Sequence, residues 1–221
     1  MIAKRLLART FRPRGRVSFL SRLGSTPKIL DVGCADLSPF IVRQAVPLCQ
    51  YTGIDVCDYR DRPDRSDRYI IVEPEAFADG IRALANSFDA VLSAHNLEHC
   101  NDRDETLEAM LAALKPGGRI YISFPCEASV HYPRRTGTLN YFDDPEHKSS
   151  PPDFAKVLEG LKRRNFEILF AAARYRPLLP WMVGLVFEPL SALRRKTLRG
   201  TWELYGFESI IWAQKPATAM P

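Results

Sequence analysis

The chain has 221 residues, 46% of them hydrophobic and 26% charged, with a formal net charge of +5. That composition excludes disordered, fibrous and membrane-spanning classes and predicts a single globular domain with a sizeable core, of the cytoplasmic type. Cys34, Cys49, Cys57, Cys100 and Cys126 show neither zinc-knuckle spacing nor a disulfide framework, so they read as free thiols in a reducing compartment.

Residues 1–30 carry eight Lys or Arg and no acid, which leaves the remainder at −3. Residues 1–27, with Lys4, Arg5, Arg9, Arg12, Arg14, Arg16 and Arg22, read as a basic, solvated N-terminal arm able to meet phosphates, nucleic acid or an anionic membrane. Its composition also fits a mitochondrial presequence, while arginines interrupt any secretory apolar core. Residues 28–216 are read as the domain.

A first strand ends at Ile29-Leu30-Asp31-Val32-Gly33, and Ser38-Pro39 reads as the cap and first position of a helix reaching about Val46. Tyr51 to Asp55 is a second strand, 58–68 a solvated loop, and Tyr69 to Val72 a short buried strand ending at Glu73-Pro74. A helix follows over Glu75 to Ala85, then a fourth strand over Phe88 to Ala94. Asn101 or Asp102 caps the next helix, whose Leu107, Met110, Leu111 and Leu114 share one face, and Pro116-Gly117-Gly118 stops it. Arg119 to Pro125 is the fifth strand, Ser150-Pro151 opens a helix to about Asn165, and Phe166–Ala171 and Ser209–Ala213 are the last two strands.

Strands alternating with helices predict an α/β fold: one doubly wound, mainly parallel seven-stranded sheet, helices on both faces and a last antiparallel strand. Two insertions, 126–149 and 173–207, follow strand ends on the edge that carries the glycine motif. Ligands bind at that edge in open α/β sheets, so both insertions are placed to form the substrate side.

The carboxylate and glycine after the first strand, with a second carboxylate in Gly53-Ile54-Asp55-Val56, predict a nucleoside pocket. Ala35 and Leu37 stand where a dinucleotide fingerprint has its later glycines, so a pyrophosphate fits poorly and a phosphate-free nucleoside is favoured. These segments, with Phe88-Asp-Ala-Val-Leu-Ser-Ala-His-Asn-Leu-Glu-His99 and Leu114-Lys-Pro-Gly-Gly-Arg-Ile-Tyr-Ile-Ser-Phe-Pro125, resemble the class I S-adenosylmethionine-dependent methyltransferases. The resemblance implies S-adenosyl-L-methionine as cofactor. It places Asp31, Gly33, Cys34 and Ala35 along the methionine part and Asp55 with Val56 at the ribose. Glu73 falls near the adenine, with Glu75 as the alternative, and Ser93, Ala94 and His95 along the methyl donor. Ala35 departs from the family's second glycine.

All four histidines fall on the ligand edge: His95, His99, His131 and His147. His147, within Phe142-Asp-Asp-Pro-Glu-His147, resembles the acid-rich turn of sugar- and polyketide-directed members and is the leading candidate for base, with His95 and His99 as further catalytic candidates. Asp143, Asp144, Glu146 and His147 offer metal donors but read as a solvated turn, so no metal is expected. The segment 177–193 has one charge, Glu188, and precedes Arg194-Arg195-Lys196. It is too short and too proline-broken to span a bilayer, and reads as a lid over the acceptor, a peripheral contact of 177–199 with anionic membrane, or a subunit contact. The expected function is methyl transfer to a small-molecule or glycan-like acceptor at oxygen. The alternatives are an RNA methyltransferase, against which the lack of an aromatic and basic RNA-binding module argues, and a non-catalytic cofactor-binding scaffold.

Overall fold

The computed structural model describes residues 10–59, 66–147 and 149–217. Its strands are β1 (Lys28–Val32), β2 (Gln50–Asp55), β3 (Arg68–Ile71), β4 (Phe88–Ala94), β5 (Leu114–Pro125), β6 (Glu167–Ala172) and β7 (Glu208–Gln214). They form a seven-stranded sheet in the order β3-β2-β1-β4-β5-β7-β6. β7 is antiparallel to both of its neighbours, and the pairs among β1 to β5 are parallel. The chain winds outward from β1 through β2 to β3, then restarts at β4 on the other side. The carboxyl ends of β1 and β4 therefore open a crevice at the switch point, the usual ligand position of such sheets.

Apolar stripes explain the helices. α1 (Arg16–Leu20) and α2 (Ser38–Ala45) bury Phe19, Leu20, Val42 and Ala45 with Tyr51, Tyr121 and Trp212 on one face of the sheet. α3 (Phe77–Arg82), α4 (Arg103–Ala113) and α5 (Phe154–Arg163) bury Phe77, Ile81, Leu107, Met110 and Leu161 on the other. Asp102 caps α4 by accepting from the Glu105 amide, one of the two residues expected for that task.

Several local expectations are corrected. Ser38 does not cap α2: Leu37 holds that position, and the Ser38 hydroxyl turns back to donate to the Asp31 carboxylate. β3 is an edge strand with Arg68 and Ile71 exposed, because only β2 pairs with it. The helix expected over 75–85 is a 3-10 turn, Pro74–Ala76, followed by the short α3. α4 ends at Ala113, before Pro116-Gly117-Gly118, and β5 begins at once, Leu114 pairing with Phe88 across a bulge. α5 is capped by Asp153 rather than opened at Ser150-Pro151.

The basic arm is also revised. Lys4, Arg5 and Arg9 lie outside the described residues. Within 10–27, however, Phe19 and Leu20 are buried under the sheet and draw the neighbouring arginines onto the protein. Arg12 pairs with Glu203 and Glu208, Arg14 lies over Phe170 and Trp212, and Arg22 lies over Trp212. Less of the charge is thus free for a phosphate backbone than a solvated arm would offer.

Both insertions contain helix. α6 (Leu178–Leu193) and α7 (Thr201–Tyr205) occupy most of 173–207. The prolines of 177–193 do not break α6: Pro177 caps it, Pro180 lies in the first turn and Pro189 is accommodated inside. α6 lies close on α7, since a β-carbon on Gly184 would come within 2.2 Å of the Gly200 carbonyl oxygen. No helix of the described residues is long and apolar enough to cross a membrane.

Candidate functional site

The loop after β1 is a left-handed turn. Gly33 has φ +69° and Ala35 φ +44°, a region that costs an ordinary L-residue roughly 1–2 kcal/mol. The turn is held because the Gly33 amide donates to the Ile54 carbonyl and the Ala35 amide to Asp55 Oδ2, at 2.9 and 2.8 Å. Asp55 also accepts from the Val56 amide at 2.8 Å. A carboxylate has about four acceptor positions, so Asp55 keeps capacity for further donors such as a sugar diol. Burial raises its pKa, opposed by the same backbone amides.

Asp31 is fully buried, accepting from the Ser38 and Tyr51 hydroxyls, with Arg16 donating to Ser38. Burial raises its pKa against Arg16 and those two hydrogen bonds. Its Oδ1 and the Ser93 hydroxyl are buried without a hydrogen-bond partner among the described residues. Cys34 turns inward: its Sγ would lie 2.6 Å from a β-carbon on Gly53, so only its backbone faces the crevice edge. Glu73 and Glu75 are both exposed beyond the end of β3. Ala94 is half-buried at the end of β4.

His95, with φ +55°, sits at the turn after β4. Its Nδ1 lies 3.1 Å from Glu98 Oε1 and its Nε2 3.3 Å from Glu208 Oε1, while Glu208 meets Arg12 at 2.6 Å. Burial alone would lower the His95 pKa, but the hydrogen bonds of Glu208 and Glu98 push it up to about 10. Burial would raise Glu208, yet His95 and Arg12 hold it at about 2. His95 thus lies between two carboxylates that favour its protonated form, an arrangement that suits a positioning role better than that of a base.

His99 and His147 do come together, with ring centroids 4.9 Å apart. His147 stacks on Tyr141 and its Nδ1 faces the Tyr141 carbonyl at 2.5 Å. A carbonyl only accepts, so Nδ1 carries a proton, while Nε2 faces Asp144 Oδ2 at 3.8 Å. The ligand atoms of Glu98, His99 and His147 lie within 4.8 Å of one another. Asp143, by contrast, is a structural acceptor: its Oδ2 takes the amides of Arg135, Leu139 and Asn140. His131 is exposed at the end of a 3-10 turn and is not part of this group.

The two insertions are tied together beside these residues. Arg135 forms a two-pronged pair with Glu188 on α6, at 2.8 and 2.6 Å, and also reaches the Ser191 hydroxyl. Trp202 Nε1 donates to the Thr138 carbonyl at 2.6 Å. The outer side of α6 is left bare: Leu178, Met182, Val186 and Leu193 are exposed, on the side opposite buried Pro180, Gly184 and Ser191.

Glu98, Asn96, Arg12 and Glu208 escaped the sequence reading. Glu98 and Asn96 stand within the quoted His95 to His99 run. Glu208 reaches the site only because β7 runs antiparallel beside β5, which no local pattern announces.

Residues 4–170 match a family model described as a methyltransferase domain. A curated ubiquinone/menaquinone biosynthesis C-methyltransferase of Pseudomonas putida is 34% identical over 111 residues, 47% of this chain and 43% of that protein. The chain thus spans under half the length of that relative. A solved S-adenosylmethionine-dependent methyltransferase from Mesorhizobium loti matches with TM-score 0.60 at 17% identity, over 90% of this chain and 95% of the other. A Burkholderia thailandensis 1,6-didemethyltoxoflavin-N1-methyltransferase, solved with bound 1,6-didemethyltoxoflavin and S-adenosylhomocysteine, matches with TM-score 0.54 at 14% identity, over 97% of this chain and 83% of the other.

Proposed function

The chain belongs to the class I S-adenosylmethionine-dependent methyltransferases, and on that premise we propose that it methylates a hydroxyl of a small amphipathic acceptor. One observation carries the reading: two imidazoles converge beside the β4 end, one of them oriented by the Nδ1–H that it donates to the Tyr141 carbonyl. A hydroxyl must lose its proton as it becomes a nucleophile, whereas an amine needs no such partner.

The residues present fit the cofactor. The left-handed turn at Gly33, the spare acceptor capacity of Asp55 and the unpartnered Asp31 Oδ1 and Ser93 hydroxyl all lie near the carboxyl ends of β1, β2 and β4. Asp31, the backbone from Gly33 to Ala35, and Ser93 to Ala94 hold the methionine part. Asp55 with Val56 holds the ribose, and Glu73 or Glu75 approaches the base. When bound, the cofactor supplies an electrophilic methyl group. His95 serves as a positioning residue, its charge fixing the Glu98 carboxylate. The His99 and His147 pair takes charge of the acceptor's proton.

The bare side of α6 and the exposed Arg194, Arg195, Lys196 and Arg199 that follow it suit an anionic membrane surface. The helix's one acid, Glu188, is neutralised by Arg135. A lipid-linked glycan and a hydroxylated aromatic with an apolar tail both meet this description of the acceptor. The Pseudomonas relative's name supports a second reading, methylation at a ring carbon of a quinol, in which ionising the neighbouring hydroxyl is still required.

Isothermal titration with S-adenosylmethionine and S-adenosylhomocysteine, beside an Asp55→Ala variant, tests the cofactor half. Saturable binding lost in the variant is expected, and absence of binding at millimolar ligand overturns it. NMR of the product, with methyl-labelled donor and hydroxylated acceptors, distinguishes an O–CH3 from a C–CH3.

A further inference from the structure

We propose that Glu98, His99 and His147 form a binding site for one divalent first-row metal ion. The role that this ion would play rests on the hydroxyl acceptor proposed above, but its binding does not.

The cluster is assembled from two separate parts of the chain. Glu98 and His99 end the 3-10 turn Leu97–His99 after β4, and His147 comes from the insertion that follows β5. Arg103 joins the two parts. Its Nε donates to the Leu97 carbonyl at 3.0 Å and its Nη1 to the Ser150 carbonyl, while its Nη2 reaches both the Glu98 carbonyl, at 3.4 Å, and the Tyr141 hydroxyl. Tyr141 in turn orients His147 through stacking and through its carbonyl. A histidine whose Nδ1–H is donated to a carbonyl presents Nε2 in a fixed direction, the usual support of a metal-ligating imidazole.

Glu98 supplies an independent pointer. The residue is fully buried, its Oε1 is held by His95, and its Oε2 has no hydrogen-bond partner among the described residues. Burying an unpaired carboxylate oxygen is costly unless something cationic meets it.

The distances are compatible with a metal. Ligand atoms about 2.0–2.2 Å from an ion stand about 3.4 Å apart at tetrahedral angles. The three atoms here lie within 4.8 Å of one another, so side-chain rotations moving them by about an ångström close the site. Two imidazoles and one carboxylate, with positions left open, suit Zn²⁺, Mn²⁺ or Fe²⁺ rather than Ca²⁺, which takes an all-oxygen shell. An open position takes the acceptor hydroxyl, whose pKa falls on coordination, and its proton passes to solvent. The histidine pair thereby acts on that proton through the ion instead of as a free base.

The test uses the full chain, stripped with chelator and titrated with Zn²⁺ and Mn²⁺ alone, followed by dialysis and elemental analysis. Glu98→Gln and His147→Asn are measured in parallel, with circular dichroism to establish folding and S-adenosylhomocysteine titration on each. The expected result is one ion per chain and an affinity at least about tenfold weaker in each folded variant, since even outer partners of metal ligands cost 10–100-fold. Failure of the parent chain to retain an ion, or equal retention by folded His147→Asn, overturns the site. Should Glu98→Gln not fold, His147→Asn decides alone. Absence of metal binding in the parent chain, with its S-adenosylhomocysteine binding intact, rejects the metal and spares the methyltransferase reading. Loss of S-adenosylhomocysteine binding in the parent chain rejects that reading whatever the metal does.

Discussion

Asn96 lies directly over Gly33: a β-carbon built on Gly33 would come within 2.2 Å of Asn96 Oδ1. The contact joins the loop after β1 to the turn after β4, the two strand ends that bound the crevice. It also gives Gly33 two reasons to be glycine, since φ is +69° and the space above it is filled.

Gly33→Ala is therefore expected to cost about 2–4 kcal/mol, overpacking adding to left-handed strain. Affinity for S-adenosylhomocysteine should fall with it. In a double-mutant cycle, Asn96→Ala should recover part of the stability, because the two changes share one contact. Additive losses in denaturant titrations would show that the contact is not what excludes a side chain at Gly33.

Ala35 is the opposite case. Its φ of +44° is left-handed, and its amide donates to Asp55. Ala35→Gly should relieve roughly 1–2 kcal/mol of strain and lose about 0.5–1 kcal/mol to greater freedom in the unfolded chain. The net is a gain of about 0–1.5 kcal/mol, with cofactor affinity unchanged or better. A drop in the denaturation midpoint would contradict this.

The nucleoside half of the site was legible because it is local. Asp31, Gly33, Asp55 and Ser93 each end a strand whose apolar run is visible in the sequence, and sheet topology then brings the ends together. The acceptor half was not. α6 is apolar nearly all round and carries Pro177, Pro180 and Pro189, so neither periodicity nor caps declared a helix. The His95 clamp needed Glu208 and Arg12, which stand 113 and 83 residues away in sequence and arrive only through packing. The basic arm misled for the same reason: Phe19 and Leu20 pull it onto the sheet, and charge counting is blind to that.

Acid should loosen the joint between the insertions. Hydrogen bonds from Arg135 and Tyr205 hold the Glu188 carboxyl below its ordinary value of 4.5. A carboxyl depressed on folding stabilises fully above its unfolded pKa and loses that contribution as pH falls through the folded value. Glu188→Gln should thus be less stable than the parent at pH 7, by about 1.5–3 kcal/mol. The gap should narrow progressively once the pH drops below about 4.5. A gap independent of pH in thermal melts would remove the ion pair from this role.

The outer side of α6 offers the sharpest test of where the acceptor is met. Leu178, Val186 and Leu193 are 68%, 76% and 82% exposed, unusual for large aliphatics in a monomer unless the surface meets something. The flanking Arg194, Arg195 and Lys196 add attraction worth about 1 kcal/mol each near an anionic leaflet, while neutral lipid offers none. The chain should therefore co-sediment with vesicles containing phosphatidylserine and not with phosphatidylcholine alone, and moderate salt should weaken the binding. Val186→Asp combined with Leu193→Asp should abolish it while leaving S-adenosylhomocysteine affinity intact, because neither residue touches the crevice groups described above. Retained vesicle binding by that variant would show that α6 is not the contact. A concentration-dependent rise in mass by light scattering, lost in the variant, would show instead that a second copy of the chain covers this surface.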